Sequence, residues 1–310
     1  MKLDILFVID PLESLVKGHD TSLAVMEECV CRKHNVWYCT LKDLRMTKSK
    51  PFGTLKLVTK KKDAWQTLST EDKALDSMSI IFMRKDPPFN IDYIMGCTIL
   101  AYVSKKTHII NNPDALRTFN EKLGIFEFAE HIPDTVVTKS KEEIIKFSKK
   151  HAAIVLKPLD LNSGQNIFVM QQNDKNRDSL ISMMTNNQQN YIMIQEYLPA
   201  VKNGDRRVII LNGKIIGILN RIAPAHDHRS NLHTGATAKK VKLTKENLRV
   251  CNEIAEKLKA KGIYFAGLDL IGDSITEINI TSPTGIVEIN KLYGVQLERE
   301  IVNFFEELAK

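Results

Sequence analysis

The sequence predicts a mixed α/β (α+β) fold of two or three compact units, and three observations carry that reading. The first forty residues read strand, helix, strand, which is the start of a βαβ unit. Close to the C-terminal end, residues 265–281 read as two strands joined by a tight turn. The chain has 310 residues and 43% hydrophobic content, enough for a sizeable core.

Taken in order, LDILFVI at residues 3–9 is a short buried strand ending at Asp10-Pro11, followed by a helical pattern from about Ser22 to Arg32 and a strand from Val36 to Thr40. Ligands in such sheets gather beyond the carboxyl ends of the strands, which puts Asp10 where binding residues sit; capping the next segment is its plainer role. The lysine-rich piece from Lys42 to Lys73 carries little pattern beyond a strand at Leu55 to Thr59. Ser79 to Met83 is the next buried strand. Arg84-Lys85-Asp86-Pro87-Pro88-Phe89 follows it, and the two prolines stop the strand and stiffen the loop. A stiff loop bearing Arg84 and Lys85 suits a substrate carboxylate, Arg offering a planar fork of donors; a surface turn of paired charges fits equally well on chemistry alone. A helix near Tyr93 to Ser104 and a strand at Thr107 to Asn111 lead to a helix with Pro113 at its first position and Asn112 as its cap. A first domain boundary falls near Thr118.

Lys122, in FNEKLGIF, falls on an amphipathic helix and by itself reads as an exposed lysine. A strand within HIPDTVVT (residues 131–138), a helix from Lys141 to Lys150 and a strand from Ala153 to Leu159 come next. Lys157 lies among apolar neighbours in that strand. A partly buried ammonium needs an anionic partner or its pKa falls, and phosphate is a natural candidate. Tyr191 to Tyr197 is a strand running into Leu198-Pro199, and Val208 to Leu219 is a hairpin turning at Asn212-Gly213-Lys214. Arg221 to Ala238 is a long polar loop of the kind that forms active-site lids. Its His226, Asp227, His228 and His233 have no helix or strand to fix a zinc geometry. Helices from Lys245 to Lys261 and from Val295 to Leu308 flank the C-terminal hairpin.

That hairpin carries the sharpest chemistry. Strands Phe265 to Ile271 and Ile275 to Thr281 with a three-residue turn, Gly272-Asp273-Ser274, set Asp269 directly across from Glu277. Side chains two apart share a face, so Glu277 and Asn279 point one way, and Ile278 and Ile280 the other. Two carboxylates about 5 Å apart repel unless something positive sits between them. A hard divalent ion fills that role, since Asp, Glu and Asn oxygens are the ligands Mg²⁺ takes while keeping positions for phosphate and water. A solvated hairpin with scattered acids is the plainer alternative.

Composition narrows the partners. The formal charge is +7, but the basic residues are dispersed and do not interleave with aromatics, so a nucleic-acid surface is not expected. The longest apolar run, Val208 to Leu219, is interrupted and short of the about 20 residues of a membrane span. Five cysteines at irregular spacing make no disulfide framework, and Cys29 and Cys31 do not face each other on a helix; a reducing, cytoplasmic setting is expected.

EINITSPTG (residues 277–285), together with VIDP (8–11), MRKDPPF (83–89), NNPDALRTFNEKL (111–123) and VLKPLD (155–160), closely resembles the bacterial glutathione synthetases of the ATP-grasp superfamily. The motifs occur in order over nearly the whole chain. The resemblance implies an ATP-grasp fold with an N-terminal Rossmann-like preATP-grasp domain at residues 1–118, a small lid subdomain at 119–199 and a C-terminal subdomain carrying the metal site at 200–310. It implies that Lys122 and Lys157 reach the nucleotide phosphates. Asn162, Ser163 and Gly164 lie over those phosphates, with one glycine where the family carries several. Gln195, Glu196 and Leu198 lie against adenine, and Asp205 contacts the nucleotide. Arg207, Arg221 and Arg229 serve the reacting phosphate and the peptide carboxylate, and Arg84, Ser282 and Thr284 hold substrate. Asp269, Glu277 and Asn279 hold Mg²⁺ or Mn²⁺. Val287 stands where the family often has a basic residue. The implied reaction joins γ-glutamylcysteine to glycine through an acyl phosphate made from ATP, in a homotetramer. Another ATP-grasp carboxylate–amine ligase, or a non-catalytic nucleotide-binding relative, is the alternative.

Overall fold

The computed structural model describes residues 1–62, 64–161, 165–224 and 235–310. Its first sheet contains β1 (Asp4–Val8), β2 (Asn35–Cys39), β3 (Leu44–Thr47), β4 (Lys50–Lys61), β5 (Ala64–Ala74), β6 (Ile80–Met83) and β7 (His108–Ile110). The order is β3-β4-β2-β1-β6-β7, with β5 outside β4. Parallel pairing of β1 with β2 and β6, and of β6 with β7, builds the expected βαβ core. Helix α1 (Thr21–Cys31) crosses between β1 and β2, and its Asp20 cap accepts the Leu23 N–H at 2.9 Å. Helix α2 (Ile91–Leu100) is capped by Asn90, and α3 (Pro113–Thr118) by Asn112 with Pro113 at its first position.

The second sheet is antiparallel, ordered β10-β9-β11-β8, from β8 (Thr135–Thr138), β9 (Ala153–Pro158), β10 (Phe168–Gln171) and β11 (Ile192–Glu196). With α4 (Lys141–Ser148) and α5 (Arg177–Met184) it encloses a core of its own, including Ile144, Ile154, Leu156, Ile181 and Ile194. The third sheet runs β14-β13-β12-β15-β16, from β12 (Asp205–Leu211), β13 (Lys214–Ile222), β14 (Thr237–Lys239), β15 (Phe265–Ile271) and β16 (Ser274–Asn279). Helices α6 (Lys245–Ala260), α7 (Ile286–Tyr293) and α8 (Leu297–Leu308) cover it. Strand β12 is apolar on both faces for that reason: Val208 and Ile210 share a cluster with Val250, Ile254 and Leu258 of α6, while Ile209 and Leu211 share one with Ile289, Leu297 and Ile301. Phe82 of β6 stacks edge-on against Phe265 and Phe305, so the first and third sheets share one core. No helix among the described residues is long and apolar enough to cross a membrane.

The structure corrects several expectations. The uninformative stretch from Lys42 to Lys73 is a long hairpin, β4 with β5; β5 is mostly exposed and so lacks the apolar alternation that marks a strand. The C-terminal hairpin turns on two residues, Gly272 and Asp273, and not on three. Asp269 still faces Glu277 because a bulge leaves Thr276 without an opposite number. Lys122 precedes a 3-10 segment, Leu123–His131, in place of an amphipathic helix, and it is buried. A separate helix, α7, occupies residues after Gly285, whose φ of +126° is a backbone angle only glycine adopts readily. Strand β14 lies within the span expected to be loop.

One side chain staples the first sheet to the third. Asn111, just past β7, donates to the carbonyls of Phe265 at 2.8 Å and Ile280 at 2.9 Å, and accepts the N–H groups of Tyr264 and Phe265, both at 2.8 Å. An alanine there would leave all four groups without this partner, and three of the four bonds are buried. Asn111→Ala is therefore expected to cost about 2–4 kcal/mol, read as a lower urea midpoint at unchanged m value; an unchanged midpoint would refute the staple.

Candidate active site

The third sheet presents a ladder of alternating charge on one face. Asp205 on β12 stands opposite Arg221 on β13, Arg207 on β12 opposite Asp269 on β15, and Asp269 opposite Glu277 on β16. Arg207 grips Asp269 with two parallel bonds, Nε to Oδ1 at 2.5 Å and Nη2 to Oδ2 at 2.8 Å, the bidentate geometry that a guanidinium provides and an ammonium does not. Arg221 Nη2 reaches both Asp205 Oδ2 at 2.6 Å and Asp269 Oδ1 at 3.0 Å. Gly267 makes room for this arrangement: a Cβ there would sit 3.0 Å from Arg207 Cδ and 3.0 Å from Pro283 Cβ. Each of the facing carboxylates thus has protein cations of its own, Asp269 those of Arg207 and Arg221 and Glu277 that of Lys122, beside the divalent ion expected between them.

The two neighbouring acids titrate in opposite directions. Burial would raise Asp269, but Arg207 and Arg221 outweigh it and hold the carboxyl down at about 2. Burial dominates at Asp205, which is pushed up to about 6 despite Arg221. Among the described residues, Asp205 Oδ1 and Arg221 Nε are buried with no hydrogen-bond partner.

The facing wall comes from the second sheet and from the segment joining the first sheet to it. Lys122 Nζ donates to the Leu161 carbonyl at 2.7 Å and pairs with Glu277 Oε1 at 3.1 Å. Lys157 on β9 donates to the Gln195 side chain on β11. Burial draws its ammonium below the ordinary lysine range, while Glu277, Asp205 and Asp269 oppose that shift. Lys122, Lys157, Gln195, Glu196, Leu198, Asp205, Arg207, Arg221, Asp269, Glu277, Asn279, Ser282 and Thr284 all line one cleft. Asn162, Ser163, Gly164 and Arg229 lie outside the described residues, as do His226, Asp227, His228 and His233.

Arg84 is not in the cleft. It is 2% exposed, sandwiched by the rings of Phe82 and Phe265, and bonded to the Ser22 hydroxyl at 3.2 Å and the Pro283 carbonyl at 2.9 Å. Burial lowers it to about 10, with Asp20, Asp86 and Glu121 opposing. Its alternation along β6 turns it inward, where it holds residues 282–285 from behind. Two cleft residues escape the sequence reading. Asp86 lines the cleft from the same loop, and Glu121 receives Ile280 N–H at 2.7 Å, Thr281 N–H at 2.8 Å and the Thr281 hydroxyl at 2.8 Å on a single oxygen. The signal for Asp86 was its position between Lys85 and two prolines at a strand's carboxyl end; Glu121, beside Lys122, carried none.

The donor chemistry fits a hard cation. Glu277 is partly exposed to the cleft, and Asn279 donates its amide N–H to Asp269 Oδ2 at 3.2 Å, which leaves its carbonyl oxygen as an acceptor. Among the described residues no group of three or more His, Cys, Asp or Glu is placed to hold a metal ion.

Solved structures place the fold. D-cycloserine synthetase DcsG superposes with a TM-score of 0.67 at 12% identity, covering 98% of this chain and 99% of its own. The ATP-grasp ligase PsnB, complexed with a minimal precursor, superposes with a TM-score of 0.64 at 14% identity, covering 99% and 100%. The fold is that of the ATP-grasp class. The models of the prokaryotic glutathione synthetase N-terminal domain and ATP-grasp domain match residues 3–117 and 121–294. Glutathione synthetases of Nostoc sp. and Vibrio parahaemolyticus are 38% and 36% identical, over 97% and 98% of this chain and 97% and 98% of theirs. The chain belongs to the prokaryotic glutathione synthetase family, and it is an ATP-dependent ligase.

The opposed acids give a test. A carboxyl that titrates higher in the native than in the unfolded state stabilises the fold most below its ordinary value near 3.8, and that contribution is lost as pH rises to about 6. Asp269 has the reverse sign, and its contribution is lost as pH falls from about 4 towards 2. Asp205→Asn should therefore gain on the wild type as pH is raised from about 4 to about 6 in urea unfolding. A difference independent of pH in that window would contradict the assignment.

Proposed function

We propose that the chain makes glutathione by joining the C-terminal carboxylate of γ-glutamylcysteine to the amine of glycine, with ATP converted to ADP and phosphate. The observation that carries this reading is the convergence of Lys122, Lys157, Arg207 and Arg221, from three parts of the chain, on one cleft beside the oxygen donors of Asp269, Glu277 and Asn279. No nucleophilic side chain is required. The substrate carboxylate attacks the γ-phosphorus, the bond to ADP breaks, and the acyl phosphate so formed loses phosphate when the glycine amine attacks its carbonyl carbon. What the protein supplies is position and charge.

Lys122 and Lys157 meet the nucleotide phosphates, and Arg207 and Arg221 offset negative charge at the transferred phosphoryl group. Gln195, Glu196 and Leu198 form the adenine side. Asp205 orients Arg221 and faces the nucleotide, while Ser282 and Thr284 hold substrate. Arg84 acts on substrate through the loop whose Pro283 carbonyl it binds. An Mg²⁺ or Mn²⁺ ion held by Asp269, Glu277 and Asn279 would neutralise phosphate charge and raise the electrophilicity of phosphorus. The division at residues 118 and 199 assigns substrate to the first unit, ATP closure to the second and the metal donors to the third. A homotetramer in the cytoplasm is the setting we infer, supported by the family and by five cysteines that stand as free thiols.

The reading is tested by ADP release from purified protein given ATP, Mg²⁺, γ-glutamylcysteine and glycine, with each omitted in turn. Release is expected to need both amino-acid substrates, with glutathione detected by mass; release indifferent to glycine would point to a different ligase. Glu277→Gln should abolish turnover with an unchanged thermal melt. Lys122→Met should weaken ATP binding by about 10-fold or more, measured by calorimetry; an active Glu277→Gln enzyme would sink the metal assignment.

A further inference from the structure

Six carboxylates line the cleft among the described residues, and four are accounted for. Asp205 and Asp269 are held by arginines, Glu277 pairs with Lys122, and Glu121 is satisfied by the N–H groups of residues 280 and 281. Of the other two, Glu196 ends β11 on the adenine side of the cleft. Asp86 has no ion-pair partner among the described residues.

Asp86 is also held in place with unusual care. Its N–H donates to Asp10 Oδ2 at 3.0 Å, and Asp10 Oδ1 pairs with Lys85 Nζ at 2.9 Å. Lys85 Nζ returns to the Asp86 carbonyl at 2.6 Å, and Phe89 N–H ties the loop to the Asp160 carbonyl at 2.9 Å. The segment that lines the cleft beside it is fixed by Arg84 and Arg207 through the carbonyls of Pro283 and Thr284. Burial pushes its carboxyl above the ordinary range, with Ser282 and Arg84 opposing. A braced, half-buried acid without a cation is costly, and a cationic ligand group would offset that cost.

We propose that Asp86 is a specificity-determining residue that binds a primary ammonium group of an amino-acid substrate. The inference rests on the ligase reading of the same cleft. Both amino-acid substrates of that reading carry such a group, the α-amino end of γ-glutamylcysteine and the amine of glycine. ATP carries none, so the residue discriminates among substrates of one reaction. The four cleft cations, by contrast, suit phosphates and carboxylates.

The test is steady-state kinetics on the full chain, wild type against Asp86→Asn and Asp86→Glu, with glycine, γ-glutamylcysteine and N-glutarylcysteine, the analogue that lacks the α-amino group. Asp86→Asn is expected to raise the KM of one amino-acid substrate roughly 10–100-fold and leave the KM for ATP unmoved, and Asp86→Glu, which keeps the charge, to restore part of it. If the ammonium is that of the γ-glutamyl end, N-glutarylcysteine is a poor substrate for the wild type and no poorer than γ-glutamylcysteine for Asp86→Asn. If it is that of glycine, the glycine KM rises and the penalty for the analogue is the same in both enzymes. Should Asp86→Asn not fold, Asp10→Asn disturbs the carboxylate that accepts the Asp86 N–H and must move the same KM. Unchanged amino-acid KM values, or an equal loss for ATP and in Asp86→Glu, overturn the proposal. A wild type inert to these substrates overturns the ligase reading, and the proposal with it.

Discussion

The buried row of Arg221, Asp205, Arg207 and Asp269 is the constraint on which the rest of the structure depends. Each of these charges would be expensive to bury alone, and Arg207, Arg221 and Asp269 are buried while Asp205 is half-buried. They are tolerable because antiparallel register sets opposite signs across from each other on β13, β12 and β15. A slip of one residue would turn every one of them to the face packed on α6, so the pairing also pins the strands. The polar row then forms the floor of a cleft whose underside is an ordinary hydrophobic core.

The cleft exists because two other contacts bring distant chain segments to that floor. Asn111 joins the end of β7 to β15 and the end of β16 through four hydrogen bonds. Residues 120–122 join the second sheet to the third: Asn120 donates to the Leu159 carbonyl, Glu121 gathers the backbone of Ile280 and Thr281, and Lys122 bridges the Leu161 carbonyl and Glu277. The second sheet keeps a hydrophobic core of its own on one face, while Met193 of β11 joins the cluster of the first and third sheets from the other, so its attachment is both apolar and polar. Lys122, Lys157 and the oxygen donors are thereby in one place without belonging to one element.

Much of this was legible in the sequence, for reasons that can be named. Period-two alternation in residues 265–281 and the Asp269–Glu277 pairing came from local pattern, as did the βαβ opening and the Asn112-Pro113 helix start. The pairing survived a wrong turn length, because the bulge at Thr276 restored the offset that the shorter turn removed. Exposed strand β5 was illegible, since a strand that buries little has no apolar signature.

By itself, the sequence singled out the candidates for the chemistry: lysines, arginines and oxygen donors at spacings that strands and motifs dictate. Only the tertiary structure decided which of them face the cleft. It buried Arg84 behind the wall and turned Asp86 into it, made an apparently exposed Lys122 a buried bridge, and satisfied Asp269 with guanidiniums from two neighbouring strands. The physical reason is that side-chain direction at the end of a strand, and the partner that balances a buried charge, depend on elements far away in the chain. Local pattern holds no record of either.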